Sequence, residues 1–109
     1  MTDLKSITSQ LLQACKNIIS LSDEINQGGE VKDIDFFLDN LRINYTIIIE
    51  LFMQIPPKQN PYITQEELRG QVDFANKAIT KDNLGRLIYN IKNEIPVLKT
   101  KLEKALKTL

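Results

Sequence analysis

Apolar positions recur along this chain in steps of three and four. The longest run is Leu84, Ile88, Ile91, Ile95, Leu98, Leu102, Ala105 and Leu109. That rhythm places all eight on one stripe of an α-helix, with lysines, asparagines and glutamates on the remaining faces. A long helix with a single apolar seam needs partners to cover it. The earlier part of the chain supplies three.

Leu4, Ile7, Leu11, Ala14, Ile18, Leu21 and Ile25 predict a first helix over about residues 3–26. Thr2 or Asp3 can cap its start, and Gly28-Gly29 can end it, because glycine takes the left-handed conformation at little steric cost. Ile34, Leu38, Leu41, Tyr45, Ile48, Phe52 and Ile55 predict a second helix over about 32–54, with Asp33 and Asp35 at its positive end. This helix also carries apolar residues off the seam: Phe37, Ile43, Ile47, Ile49 and Leu51. Such an excess means that the helix is either central in a bundle or exposes a binding strip.

Pro56, Pro57 and Pro61 remove three amide donors and predict a stiff connector. Thr64-Gln65-Glu66-Glu67 is a capping box, flanked by Ile63 and Leu68 at the positions of a hydrophobic staple. A third helix is expected over about 64–80. Gly70 inside it marks either a weak helix or a close approach by a neighbour. The step from Ile79 to Leu84 is five, which breaks the phase. A break near residues 80–83 follows, with Thr80 or Asp82 capping a last helix over about 82–109. One continuous helix over 64–95 is the alternative. Pro96 interrupts the last helix, yet the seam keeps phase across it, so a kink is expected rather than a stop. The fold class predicted is all-α, a single-domain antiparallel four-helix bundle.

Charge changes the picture only locally. Lysine plus arginine equals aspartate plus glutamate, 14 against 14, so no global field draws the chain to nucleic acid or to a membrane surface. Residues 1–50 hold four cations against eight carboxylates, while residues 91–109 hold five lysines against two glutamates. The simplest consequence is an acidic front packed near a basic tail. No apolar run approaches the roughly 18–20 residues of a membrane span. Cys15 has no second cysteine to pair with, and the first residues lack the layout of a signal peptide. A cytoplasmic location is expected.

The absence of histidine excludes phosphotransfer bundles, histidine-ligated di-iron and haem bundles, and Ser–His or Cys–His nucleophile pairs. The acidic pairs Asp23/Glu24, Asp33/Asp35 and Glu66/Glu67 fit solvated faces and helix starts. Cys15, next to the seam residue Ala14, fits a small semi-buried hydrophobe. Asn44-Tyr45-Thr46 matches a glycosylation sequon but lies within a helix. No glycine pattern cradles a phosphate. No catalytic, cofactor-binding or metal-ligating residues are expected, and the chain reads as a binding protein rather than an enzyme.

Three stretches carry a family resemblance. Leu21-Ser22-Asp23-Glu24-Ile25-Asn26-Gln27-Gly28-Gly29-Glu30 is a helix end before a short glycine turn. Ile34-Asp35-Phe36-Phe37-Leu38-Asp39-Asn40-Leu41-Arg42 opens the second helix, and Ala78-Ile79-Thr80-Lys81-Asp82-Asn83-Leu84 leads into the last. Together they resemble the FliT-type flagellar export chaperones. A tyrosine often seen near that family's C-terminus has no counterpart here. The resemblance implies a chaperone that shields the C-terminal helical segment of a filament-cap protein before export. It further implies docking to export-gate and ATPase components, and a last helix that covers the client groove until release. Candidate partner-binding residues are Phe37, Ile43, Ile47 and Leu51 on the second helix, with Val97 and Leu98 after Pro96. A homodimeric bundle and a phage-type regulator of a host protein are the competing readings. A nucleic-acid binder using the C-terminal lysines is disfavoured by neutral net charge.

Overall fold

Each apolar seam becomes a rod. The computed structural model describes residues 3–109. Its helices are α1 (Leu4–Ser20), α2 (Ile34–Met53) and α3 (Gln65–Lys77), followed by a long C-terminal rod. That rod is α4 (Leu84–Tyr89), a π-helical turn (Asn90–Glu94) and α5 (Ile95–Thr108). Among the described residues there are four helical rods and no strands, so the fold is an all-α four-helix bundle.

Side-chain bonds between rods fix their directions. Asn17, late in α1, bonds Asn44 in the middle of α2, while Thr8, early in α1, bonds Tyr62 beyond the end of α2. These two rods are therefore antiparallel. α1 packs mainly against α2 and α5, and α3 packs mainly against α2. Leu11, Cys15 and Ile18 of α1 are fully covered, as are Phe37 and Leu41 of α2 and Leu102 of α5. α3 contributes no fully buried residue. The core thus lies along α1, and α3 is the outermost rod.

Several boundaries differ from those expected. Asp3 caps α1, accepting from the amides of Lys5 and Ser6 at 3.1 and 3.3 Å; Thr2 lies outside the described residues. The first helix ends at Ser20, not near residue 26, and continues only as a 3₁₀ turn over Leu21–Glu24. The chain then extends, and Ile25 pairs with Val31 in an isolated antiparallel bridge. Gly29, at φ 79°, turns the loop between them rather than capping a helix. The Asn26 carboxamide helps by accepting from the Glu30 amide at 3.0 Å.

The predicted break between the third and fourth rods is present, as residues 78–80 and a 3₁₀ turn over Lys81–Asn83. Its capping differs. The turn runs straight into α4 with Asn83 at the cap position, so neither Thr80 nor Asp82 caps α4 through its side chain. The capping box of α3 forms as expected. Thr64 Oγ1 accepts from the Glu67 amide at 3.0 Å, and Glu67 Oε1 accepts from the Thr64 amide at 3.1 Å. The Thr64 backbone amide, and after it the Thr64 side chain, hold the Glu67 carboxyl below the usual carboxylate range.

The distortion expected at Pro96 falls just before it. The Ile95 amide bonds the Asn90 carbonyl, five residues back, which widens the helix. Pro96 then sits in the first turn of α5, where a missing amide costs least. The extra residue rotates everything upstream. Leu87 is fully buried where the seam pointed to Ile88, and Asn90 is buried beside Ile91. Downstream, Ile95 and Leu102 keep their predicted places, while Leu109 is exposed.

A Cβ added at Gly70 meets no atom within 4 Å, so no neighbour approaches this glycine closely. Gly70→Ala is therefore expected to stabilise the protein by roughly 0.5–1 kcal/mol. Leu102→Ala, which empties a fully buried site, should cost about 2–5 kcal/mol. Urea unfolding followed by circular dichroism measures both, and a destabilising Gly70→Ala would contradict the open placement of that face.

Candidate functional site

Two outward features could receive a partner. The first is a strip on α2. A helix turns about 100° per residue, so Phe36, Ile43 and Ile47 fall within about 40° of one another around its axis. They are 47%, 57% and 39% exposed. The buried face of the same helix is centred on Leu41, Tyr45 and Ile48. Phe37 and Leu51, expected at a partner surface, are 0% and 5% exposed and belong to the core. They lie on the side of α2 that carries Asn44, which faces α1, so α1 takes them up. One flank of this helix is buried, and another stays uncovered.

Carboxamides run alongside the strip. Gln13 donates to Asn17 at 3.0 Å, Asn17 to Asn44 at 3.2 Å, and Asn44 to the Asn40 carbonyl at 2.8 Å. Asn40 in turn donates to the Phe36 carbonyl at 2.9 Å. These groups seal the outer edge of the α1–α2 seam without any charge.

The second feature is a cleft of about 280 Å³ between α3 and the C-terminal rod. Tyr45, Ile48, Phe52 and Ile95 form its floor. Glu67 and Gln71 line one wall, and Asn93, Val97, Leu98 and Lys101 the other. Of the sequence candidates, Val97 (57% exposed) and Leu98 (half-buried) meet here, away from Ile43 and Ile47 on α2. The six candidates thus divide among the core, the strip and the cleft.

The floor of the cleft is polar at one point. The Tyr45 hydroxyl donates a hydrogen bond to Asn90 Oδ1, and Asn90 Nδ2 donates to Glu94 Oε1 at 3.3 Å. The Tyr62 and Thr8 hydroxyls pair at 2.6 Å at its end. Among the described residues, no buried side-chain nitrogen or oxygen lacks a partner. Burial raises the Tyr45 pKa well above the ordinary phenol value, and its bond to Asn90 only partly offsets this. A phenol held in that way is a hydrogen-bond donor, not an acid or base at neutral pH. The Tyr45 ring also meets Phe74 of α3 at 5.2 Å between centroids, and the Arg86 guanidinium lies 5.1 Å over the Phe74 ring. α3 is held at this end by one aromatic contact and one cation–π contact. Asn90 was not singled out by its sequence position; the available signal was an amide beside the apolar residues Leu87 and Ile91.

Cys15 is fully buried, and burial pushes its thiol up to about 12, with Lys99 pulling weakly the other way. A thiol so shifted is not a nucleophile at neutral pH. Among the described residues, no cluster of three or more His, Cys, Asp or Glu side chains could hold a metal ion. No described helix is long and apolar enough to cross a membrane. Comparison of the chain with protein-family models, curated proteins and solved structures finds no match.

Two outcomes are expected. Tyr45→Phe leaves the buried Asn90 oxygen without its donor and should cost about 1–3 kcal/mol in chemical unfolding. The folded Cys15 holds its proton to about 12, against about 9.0 for an ordinary thiol. Its contribution is therefore intact below pH 9 and is lost as pH rises toward 12. Unfolding free energy should fall there by up to about 1.4 kcal/mol per pH unit from this one group. Denaturant titrations at pH 8 and above 10 check it: Cys15→Ala should flatten the alkaline slope, and an unchanged slope would contradict the assignment.

Proposed function

We propose that this chain is a small protein-binding bundle that acts in the cytoplasm as an export chaperone, shielding the C-terminal helical segment of a flagellar filament-cap-type client. The observation that carries the binding part is the cleft between α3 and the C-terminal rod, with Val97 exposed on its rim and apolar side chains on its floor. Helix-in-groove recognition needs this combination of an apolar floor and a polar rim. The flagellar class of the client follows from the resemblance of residues 21–30, 34–42 and 78–84.

A cleft of about 280 Å³ holds a few side chains rather than a whole helix, so a client must displace something. The element best suited to move is α3. It buries no residue fully, and the connectors at residues 54–64 and 78–83 flank it. Segments with few buried apolar contacts open at the lowest free-energy cost. The last helix, which the family resemblance casts as the cover, is packed along α1 and anchors the core through Leu102. In this proposal the covering role therefore passes from α5 to α3.

The test is binding of the full chain to a peptide spanning a filament-cap protein's C-terminal helix, read by calorimetry and hydrogen exchange. Val97→Asp should weaken binding at least tenfold with the helical circular dichroism unchanged. Amides of α3 should exchange faster than those of α1 in the free chain. An affinity indifferent to Val97→Asp, or a tight dimer in sedimentation that seals the cleft, would defeat the reading.

A further inference from the structure

We propose that the outward strip of α2 is a second docking surface, shaped for a basic amphipathic helix of another protein. This surface is separate from the cleft. It joins three exposed apolar side chains, Phe36, Ile43 and Ile47, into one track along the helix.

Its charge is one-sided. Asp39 stands one turn before Ile43, and Glu50 stands three residues after Ile47, so a carboxylate marks each end of the aliphatic pair. Beyond Phe36, the groove between the end of α1 and the start of α2 is lined by Asp23 and Glu24. Glu50 has no ion-pair partner among the described residues. Asp39 pairs with Arg42 at 3.1 Å, but the other guanidinium nitrogen donates to the Ile79 carbonyl at 2.9 Å, which turns Arg42 toward the α3 side of the helix. The opposite edge of the track is the chain of carboxamides through Gln13, Asn17, Asn44 and Asn40. These already bond one another and carry no charge.

A helix laid along the track would place apolar side chains against Phe36, Ile43 and Ile47, and its lysines or arginines would reach Asp39 and Glu50. The same charges select against other occupants. In a two-fold pairing of two copies, an axis parallel to α2 sets the acidic edge of each copy against the carboxamide edge of the other, which offers Asp39 and Glu50 no cation. A perpendicular axis sets Asp39 against Glu50 of the other copy, so like charges meet. An acidic helix or an anionic lipid surface meets the same repulsion.

The test uses the isotope-labelled full chain and two designed helices of about four turns, one built from leucine and lysine and one from leucine and glutamate. NMR titration with the leucine–lysine helix should perturb amides within residues 36–50. Ile47→Ser and Glu50→Lys, both at solvent-facing positions, should each weaken that binding at least tenfold, and added salt should weaken it further. Val97→Asp, in the cleft, should leave it unchanged. No binding, equal binding of the leucine–glutamate helix, or shifts confined to the cleft would overturn the proposal. So would a dimer that Ile47→Ser disperses.

Discussion

α1 must have its apolar face covered from two directions at once, and the rest of the bundle answers to that requirement. Ile7, Leu11, Ala14, Cys15 and Ile18 spread the face over more than one neighbour's width, and none of them is more than 4% exposed. Two rods are needed, and α2 and α5 take the positions. Each fully buried aliphatic side chain contributes about 1.5–3 kcal/mol, and α1, α2 and the C-terminal rod all supply buried side chains to this core, α2 the most. The fourth rod is left with the outside of α2. That explains why α3 needs a full capping box at its start and ring contacts at its other end, having no deeply buried anchor of its own. Cohesion therefore falls from α1 outward to α3, and the cleft opens where it is lowest.

The fold was legible because period carries through exposed and buried turns alike. Four seams in steps of three and four announced four rods, and the five-residue step before Leu84 announced the break between the last two. What periodicity could not show is where backbone geometry departs from a helix while the apolar spacing continues. Leu21 and Ile25 keep the rhythm of α1, yet Leu21 packs from a 3₁₀ turn and Ile25 pairs with Val31. The same blindness moved the expected seam by one residue at Leu87 and Ile88.

The candidate surfaces were legible only as an excess. Phe37, Ile43, Ile47 and Leu51 all stood off the seam of α2, and nothing in their spacing told which would meet α1. Seams are one-dimensional, while coverage depends on how many neighbours a rod has and at what angle. Leu51 and Ile47 differ by four positions and one turn, yet one is core and the other surface. The cleft was hidden for a related reason: a sequence reports that α3 has an apolar face, but not how closely it approaches α5. The polar groups at that seam, Tyr45 and Asn90, are complementary, and their pairing lets an asparagine occupy a core position without an orphaned donor or acceptor.

The π turn has one more consequence. It is a surplus residue inside an otherwise regular helix, equivalent in geometry to inserting one position between two helical halves. A chain lacking that residue would spin α4 by about a hundred degrees relative to α5. Ile88 would then replace Leu87 against the core, and a different side chain would stand opposite the Tyr45 hydroxyl. The insertion therefore fixes the frame in which the two halves of the rod are read, and the inward-facing amide exists only in that frame.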